Sequence, residues 1–195
     1  MRIDRLLRAL VLVALVGGLL LGSTAAATAP GTAELRQVGA TAVVYRGPAV
    51  EIVVSYRFSK LNPQGNWLLL DTVMTATSAP VEIARAVIAV RTPVGEIVPL
   101  ASQEEFAKAY RELGASIMRA NATIEPMGYL PPQRPRPIRF FSEAGRRLVF
   151  PTQVLDEWHD EFGRLYFHLP SGIQHGTYEL RFALKDGEVV IPFTL

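Results

Sequence analysis

The chain contains no cysteine among its 195 residues. Disulfide bonds, a thiolate nucleophile, cysteine-ligated metal and a lipid-modified cysteine after a leader are all excluded by this absence. The folded part must therefore be stabilised by burial, and a composition that is 49% hydrophobic can supply the core.

An excess of either charge is also missing once the first 27 residues are set aside. The whole chain has a formal charge of +2, but those residues contribute Arg2, Arg5 and Arg8 against Asp4. The remainder is formally neutral. A nucleic-acid partner, which needs a basic face on the folded domain, is therefore not expected.

Only one long apolar run is present, and it lies at the N-terminus. The three arginines precede Ala9–Leu21, which is uncharged and has the length of the apolar region of a secretory signal. Small residues then suit cleavage after Ala27 or Ala29. We predict a signal peptide over residues 1–27 and an exported protein, periplasmic or secreted and of bacterial type; an uncleaved membrane anchor is the alternative, and would be its one contact with a membrane.

Strand-like periodicity dominates the rest of the chain. From Val50 to Phe58 apolar residues alternate with mostly polar ones, which predicts a strand with one face in water. Trp67–Thr77 and Val81–Arg91 are rich in β-branched and apolar residues and are predicted as the next two strands. Further short strands are predicted at Ala42–Arg46, Gly95–Val98, Ile138–Phe141, Arg147–Phe150 and Gly163–Leu169.

One segment changes to a helical period. Ser102 and Glu105 have the spacing of a capping box, and apolar residues then recur on one helical face. We predict one amphipathic helix over Gln103–Arg119, with Gly114 as a point of interruption. The proline-rich stretch 126–137 that follows is predicted as an extended surface connection, because its prolines remove too many donors for a central strand.

The last eighteen residues predict a β-hairpin centred on Asp186-Gly187. That centre pairs Leu184 with Val189 and places the apolar residues of both strands on one face. Pro192 is unable to complete a hydrogen-bonded pair, so we predict a four-residue loop over residues 185–188, or a bulge, with the last strand at a sheet edge.

Many short strands and a single helix predict a mainly β fold, an antiparallel β-sandwich formed by one domain over residues 28–195. An immunoglobulin-like arrangement with the helix inserted is the specific prediction, although the cysteine and tryptophan pattern of antibody domains is absent.

Ligand-type side chains concentrate in one charged segment. Asp156, His159, Asp160 and His168 are the candidate catalytic residues, and Asp156, His159 and His168 the candidate metal ligands, because carboxylates and imidazoles bind zinc or harder cations. A solvated loop explains the same residues, and no recognised metal spacing is present. No cofactor is expected.

Common catalytic signatures are missing as well: no GxSxG turn, phosphate-binding glycine loop or dinucleotide fingerprint occurs. The favoured hypothesis is thus a non-enzymatic exported protein that binds a protein or a cell-envelope component. The alternatives are a metal-dependent hydrolase using the Asp156, His159, Asp160 and His168 region, and a carbohydrate-binding module. The second alternative needs an aromatic platform. Its candidates are Trp67, Trp158, Tyr129 and Tyr166.

Overall fold

A computed structural model describes residues 33–125, 127–143 and 148–195. These described residues are mainly β, with 45% strand and 18% helix. The strands are β1 Glu34–Val38, β2 Ala42–Arg46, β3 Val50–Ser55, β4 Trp67–Ala76, β5 Val81–Ala84, β6 Ile88–Arg91, β7 Ile97–Pro99, β8 Arg134–Pro137, β9 Thr152–Leu155, β10 His159–His168, β11 Thr177–Leu184 and β12 Gly187–Thr194. The helices are α1 Arg57–Leu61 and α2 Gln103–Ala122.

The strands form two larger sheets and one small one. The first has six strands in the order β1-β2-β3-β4-β10-β8, and the second has four in the order β12-β11-β6-β7. Strands β5 and β9 form a two-stranded sheet. Among the described residues, all strand pairings are antiparallel except that of β8 with β10, which is parallel.

The main core lies between the two larger sheets. Ile52, Leu70 and Phe167 from the six-stranded sheet and Leu180 and Ile191 from the four-stranded sheet are all buried in it. This packing is sandwich-like and confirms the mainly β prediction. The immunoglobulin-like arrangement and the limits of the single domain stay predictions, and residues 1–27 lie outside the described residues.

The six-stranded sheet is also covered on its second face. Helix α2 packs there against Leu69 and Tyr166, and Leu130 packs against Val44 and Val53 further along the sheet. The prediction of a wetted face for the strand beginning at Val50 is therefore wrong. Strands buried on both faces become nearly continuously apolar, which is why β2 and β3 show little alternation in burial.

Helix α2 confirms the helical prediction and extends it by three residues. Ser102 accepts a hydrogen bond from the Glu105 N–H at 3.1 Å, and Glu105 accepts one from the Ser102 N–H at 2.7 Å, which completes the capping box. The helix continues through Gly114 without interruption, because Phe106, Leu113 and Ala120 hold one buried face at seven-residue intervals. Helix α1 was not predicted, and it ends the strand of Val50 three residues early.

The C-terminal hairpin keeps the predicted face but changes register. Phe182 pairs with Val189 and Tyr178 with Phe193, and all four side chains are buried. Leu184 pairs with Gly187, so the turn has two residues, and the predicted four-residue loop is wrong. Gly187 adopts a φ of 143°, which β-carbon sterics disfavour in other residues.

Pro192 fits this register without a bulge. It lies opposite Glu179, one step from the hydrogen-bonded pair of Leu180 and Ile191, so its nitrogen faces away from β11. Strand β12 is at the edge of its sheet, as predicted.

Three further strand predictions are wrong in whole or in part. The segment Val81–Arg91 divides into β5 and β6, which join different sheets across a 3-10 turn at Arg85–Val87. Ile138–Phe141 is not a strand. Of the predicted strand Arg147–Phe150, residues 148–150 are not strand, and Arg147 lies outside the described residues.

The proline-rich stretch contributes strand β8 instead of a plain connection. The N–H groups of Arg134 and Ile138 donate to the carbonyls of Trp158, just before β10, and of Phe162 within it, so the intervening prolines turn their nitrogens outward. An edge strand tolerates proline in that orientation. The prediction of a plain connection is wrong because an edge strand needs backbone donors on only one side, which this stretch retains.

Candidate functional site

Asp156 and His159 form the closest pair among the predicted site residues. The Nδ1 atom of His159 lies 2.8 Å from Asp156 Oδ1, and the Trp158 N–H donates to the same oxygen at 2.9 Å. Partial burial acts to raise the pKa of Asp156. The hydrogen bonds from His159 and Trp158 and the charge of Arg136 outweigh it, so the pKa lies below its usual range.

Arg136 connects this pair to a buried carboxylate. Its Nη2 atom donates to Asp156 Oδ2 at 3.1 Å and to the Val154 carbonyl at 2.8 Å, and its Nε atom donates to Glu161. The side chain of Glu161 has no exposed surface. Arg136 therefore joins strands β8, β9 and β10 through charge-assisted hydrogen bonds.

Glu161 is the buried carboxylate of this group. Burial raises the pKa of its carboxyl group, and the hydrogen bond from Arg136 only partly opposes that effect. Its second oxygen, Oε2, is buried without a hydrogen-bond partner among the described residues. Neither Glu161 nor Arg136 is among the predicted site residues, because nothing in the local pattern marks their pairing across β8 and β10.

Asp160 points away from this group. Strand alternation places it on the face opposite His159 and Glu161, where its Oδ2 atom accepts the Gln133 N–H at 3.2 Å. It therefore holds the backbone that leads into β8.

His168 lies at the far end of β10. Its ring stacks on Trp67 with 4.9 Å between centroids, and nine strand positions separate it from His159, roughly 30 Å. The four predicted catalytic residues therefore do not meet in one site. No group of three or more His, Asp or Glu side chains in the described ranges is arranged to hold a metal ion.

The four aromatic candidates are separated too: Tyr129 packs in the cluster of Leu130, Val44 and Val53, which contains none of the other three. Tyr166 is buried beneath α2, 4.8 Å from the Phe106 ring, and Trp67 is covered by His168. Trp158 is 68% exposed but stands at the opposite end of β10 from Trp67. These residues do not build a shared platform for a sugar ring.

A cavity of about 320 Å³ opens between the sheets at one end of the sandwich. Three turns that are distant in sequence contribute its walls: residues 45–50, 80–82 and 184–189. The apolar walls are Tyr45, Ala49, Val50, Val81, Leu184 and Val189. Glu82, Lys185 and Asp186 place charge at the same opening, so the cavity is apolar with a charged margin.

The aromatic wall depends on a glycine. The Gly47 N–H donates to the Val50 carbonyl at 2.9 Å and closes the turn between β2 and β3. A β-carbon at Gly47 would lie only 2.4 Å from the Tyr45 hydroxyl oxygen, so the absence of a side chain lets the ring lie against the turn. Burial raises the pKa of the Tyr45 phenol above its ordinary value.

No protein-family model, curated protein or solved structure matches this chain. Within the described ranges, no helix has both the length and the apolarity needed to cross a bilayer.

Proposed function

We propose that this protein is exported and binds an apolar component of the cell envelope in the cavity between its sheets, without catalysing a reaction on it. The observation that carries the proposal is the cavity itself. Its volume lies at the lower end of the range for small-molecule sites, and its walls are mainly apolar with a few polar groups at the opening.

The chemistry of the walls favours an amphiphile with an acyl or alkyl chain. The chain would lie between Tyr45 and Val189 and lose its contact with water, which is the dominant favourable term for apolar ligands. A polar head group would remain at the opening near Glu82 and Lys185. Both charges stay solvated there, so binding does not require burial of a charge.

A fluorescent fatty acid tests this proposal by titration. Ala49→Trp fills the cavity, so we expect about tenfold weaker binding or more. Ala183→Trp is the matched control, because Ala183 is exposed on the other face of the neighbouring hairpin. Circular dichroism and thermal unfolding establish that both variants fold. Equal affinity for the two variants, or no binding by the unchanged protein, would contradict the proposal.

Export is tested separately by cell fractionation and by the N-terminal sequence of the recovered protein. We expect the protein in the envelope or secreted fraction with an N-terminus at residue 28 or 30. Recovery in the membrane with an intact Met1 end would favour the anchor instead. A cytoplasmic protein would contradict export.

The hydrolase alternative now rests on one pair. Asp156 orients His159, and a histidine held in this way is a suitable general base. Turnover of ester or amide substrates that His159→Gln abolishes would favour this alternative, whereas the binding proposal expects no turnover by either form.

A further inference from the structure

The two larger sheets have four edge strands, β1, β8, β12 and β7. The last three contain proline. Pro135 and Pro137 of β8 and Pro192 of β12 turn their nitrogens outward, as shown above. Pro99 of β7 does the same, because the neighbouring Leu100 N–H donates inward to Ile88. A proline nitrogen offers no hydrogen bond to an incoming strand, so these edges resist extension.

Strand β1 forms the fourth edge and contains no proline. Its hydrogen bonding follows from the turns: the Tyr56 N–H donates to Thr41, and Gly47 donates to Val50. The odd-numbered residues of β2 thus bond to β3, and its even-numbered residues bond to β1. These lie opposite the even-numbered residues of β1, which therefore bond to β2. Leu35 and Gln37 therefore direct their N–H and C=O groups outward, away from the sheet.

We propose that β1 pairs antiparallel with β1 of a second copy of this chain, with Leu35 opposite Leu35. Outward-facing residues must oppose outward-facing residues, so the odd-numbered positions of both copies meet. In this register Glu34 of each copy lies opposite Arg36 of the other. Opposite charges in facing cross-strand positions stabilise a sheet.

Other registers lose this complementarity. A pairing centred on Glu34 or on Arg36 places two like charges directly opposite each other, which is unfavourable. A pairing centred on Gln37 sets Arg36 against Val38 and leaves both acidic groups unmatched. Charge therefore selects the register centred on Leu35.

The side chains of β1 are available for this contact. Leu35 is 46% exposed on the face that carries Tyr45, so a second Leu35 would extend the apolar core. Neither Glu34 nor Arg36 has an ion-pair partner in the part of the chain that the structure describes. Arg46, the neighbour of Glu34 on β2, already binds Glu51 at 3.5 Å.

Cysteine cross-linking tests the register directly, because the chain has no other cysteine. Opposed Cα atoms in a hydrogen-bonded pair are about 5.5 Å apart, which permits a disulfide, so Leu35→Cys should cross-link on mild oxidation. Gln37→Cys is the control: the two copies of residue 37 would be about 13 Å apart, too far for a bond. Equal cross-linking of both variants, or none by Leu35→Cys, would overturn the proposal.

Charge reversal gives a second, non-covalent test by sedimentation equilibrium of the purified full chain. We expect a concentration-dependent dimer that Glu34→Arg weakens by about tenfold, since Arg then faces Arg36 of the other copy. Adding Arg36→Glu should restore dimerisation. Glu112→Arg makes the same charge change on exposed α2 and should have no effect. A strictly monomeric protein, or failure of the double reversal to restore the dimer, would overturn the proposal.

Discussion

Replacing Arg136 with methionine tests how the buried carboxylate of Glu161 is tolerated. The substitution keeps much of the apolar stem but removes the donors to Glu161, Asp156 and the Val154 carbonyl. Glu161 would then be a buried charge without a cation. We expect a clear loss of stability, because desolvation of an unpaired charge outweighs the loss of the contact itself.

The size of the loss follows from the exposure of the two partners. Breaking a buried ion pair costs about 3–5 kcal/mol, but Arg136 is 38% exposed and the attraction is partly screened by water. We therefore expect a loss of about 2–3 kcal/mol in the free energy of unfolding at neutral pH, measured by urea denaturation.

A double-mutant cycle isolates the interaction. Glu161→Leu in the Arg136→Met background removes the buried charge, so the double variant should recover much of the lost stability. Arg181→Met is the control, since Arg181 binds the exposed Glu188 and its loss should cost much less. This reasoning would be refuted if Arg136→Met were no more destabilising than Arg181→Met. It would also be refuted if the double variant lost as much stability as Arg136→Met and Glu161→Leu lose in sum as single variants.

Three further predictions concern Glu161, the Gly47 turn and the α2 cap. Burial raises the folded pKa of Glu161 above its ordinary value of 4.5, so its stabilising contribution is complete below pH 4.5 and is lost as pH rises through the folded pKa. Glu161→Gln should therefore flatten the decline in the urea midpoint between pH 4.5 and the folded pKa. Gly47→Ala should displace the Tyr45 ring, lower stability by about 1–3 kcal/mol and weaken fatty-acid binding, seen by denaturation and titration. Ser102→Ala should cost about 1 kcal/mol in urea unfolding, and an unchanged midpoint would contradict its capping role.

Local patterns predicted the elements whose signals are local. The period of α2, its cap and the apolar face of the C-terminal hairpin depend on neighbouring residues, and all are present in the structure. The predicted hairpin register is wrong because Asp186-Gly187 is not the turn centre: Gly187 occupies the first paired position after the turn.

Features set by distant parts of the chain were missed. Strand β1 is short and exposed, so no burial pattern marks it, and its pairing depends on β2. The second covered face of the six-stranded sheet depends on α2 and Leu130, which follow β4 by many residues. Alternation in one strand contains no information about such a cover.

The candidate site was predicted only in part for the same reason. Asp156 and His159 are three positions apart, and local geometry brings them together. Arg136, Glu161 and the cavity walls come from separate segments, and only the register of β8 and β10 or the meeting of three turns joins them.

The pairing of β4 with β10 has a consequence for the order of folding. Thr72 bonds to the Gly163 carbonyl, 91 positions later in the chain. During synthesis from the N-terminus, one hydrogen-bonding edge of β4 therefore stays unpaired until the last third of the chain has been made. Closing so long a loop slows folding. The central sheet is therefore completed only after β10, at residues 159–168, has become available to pair with β4.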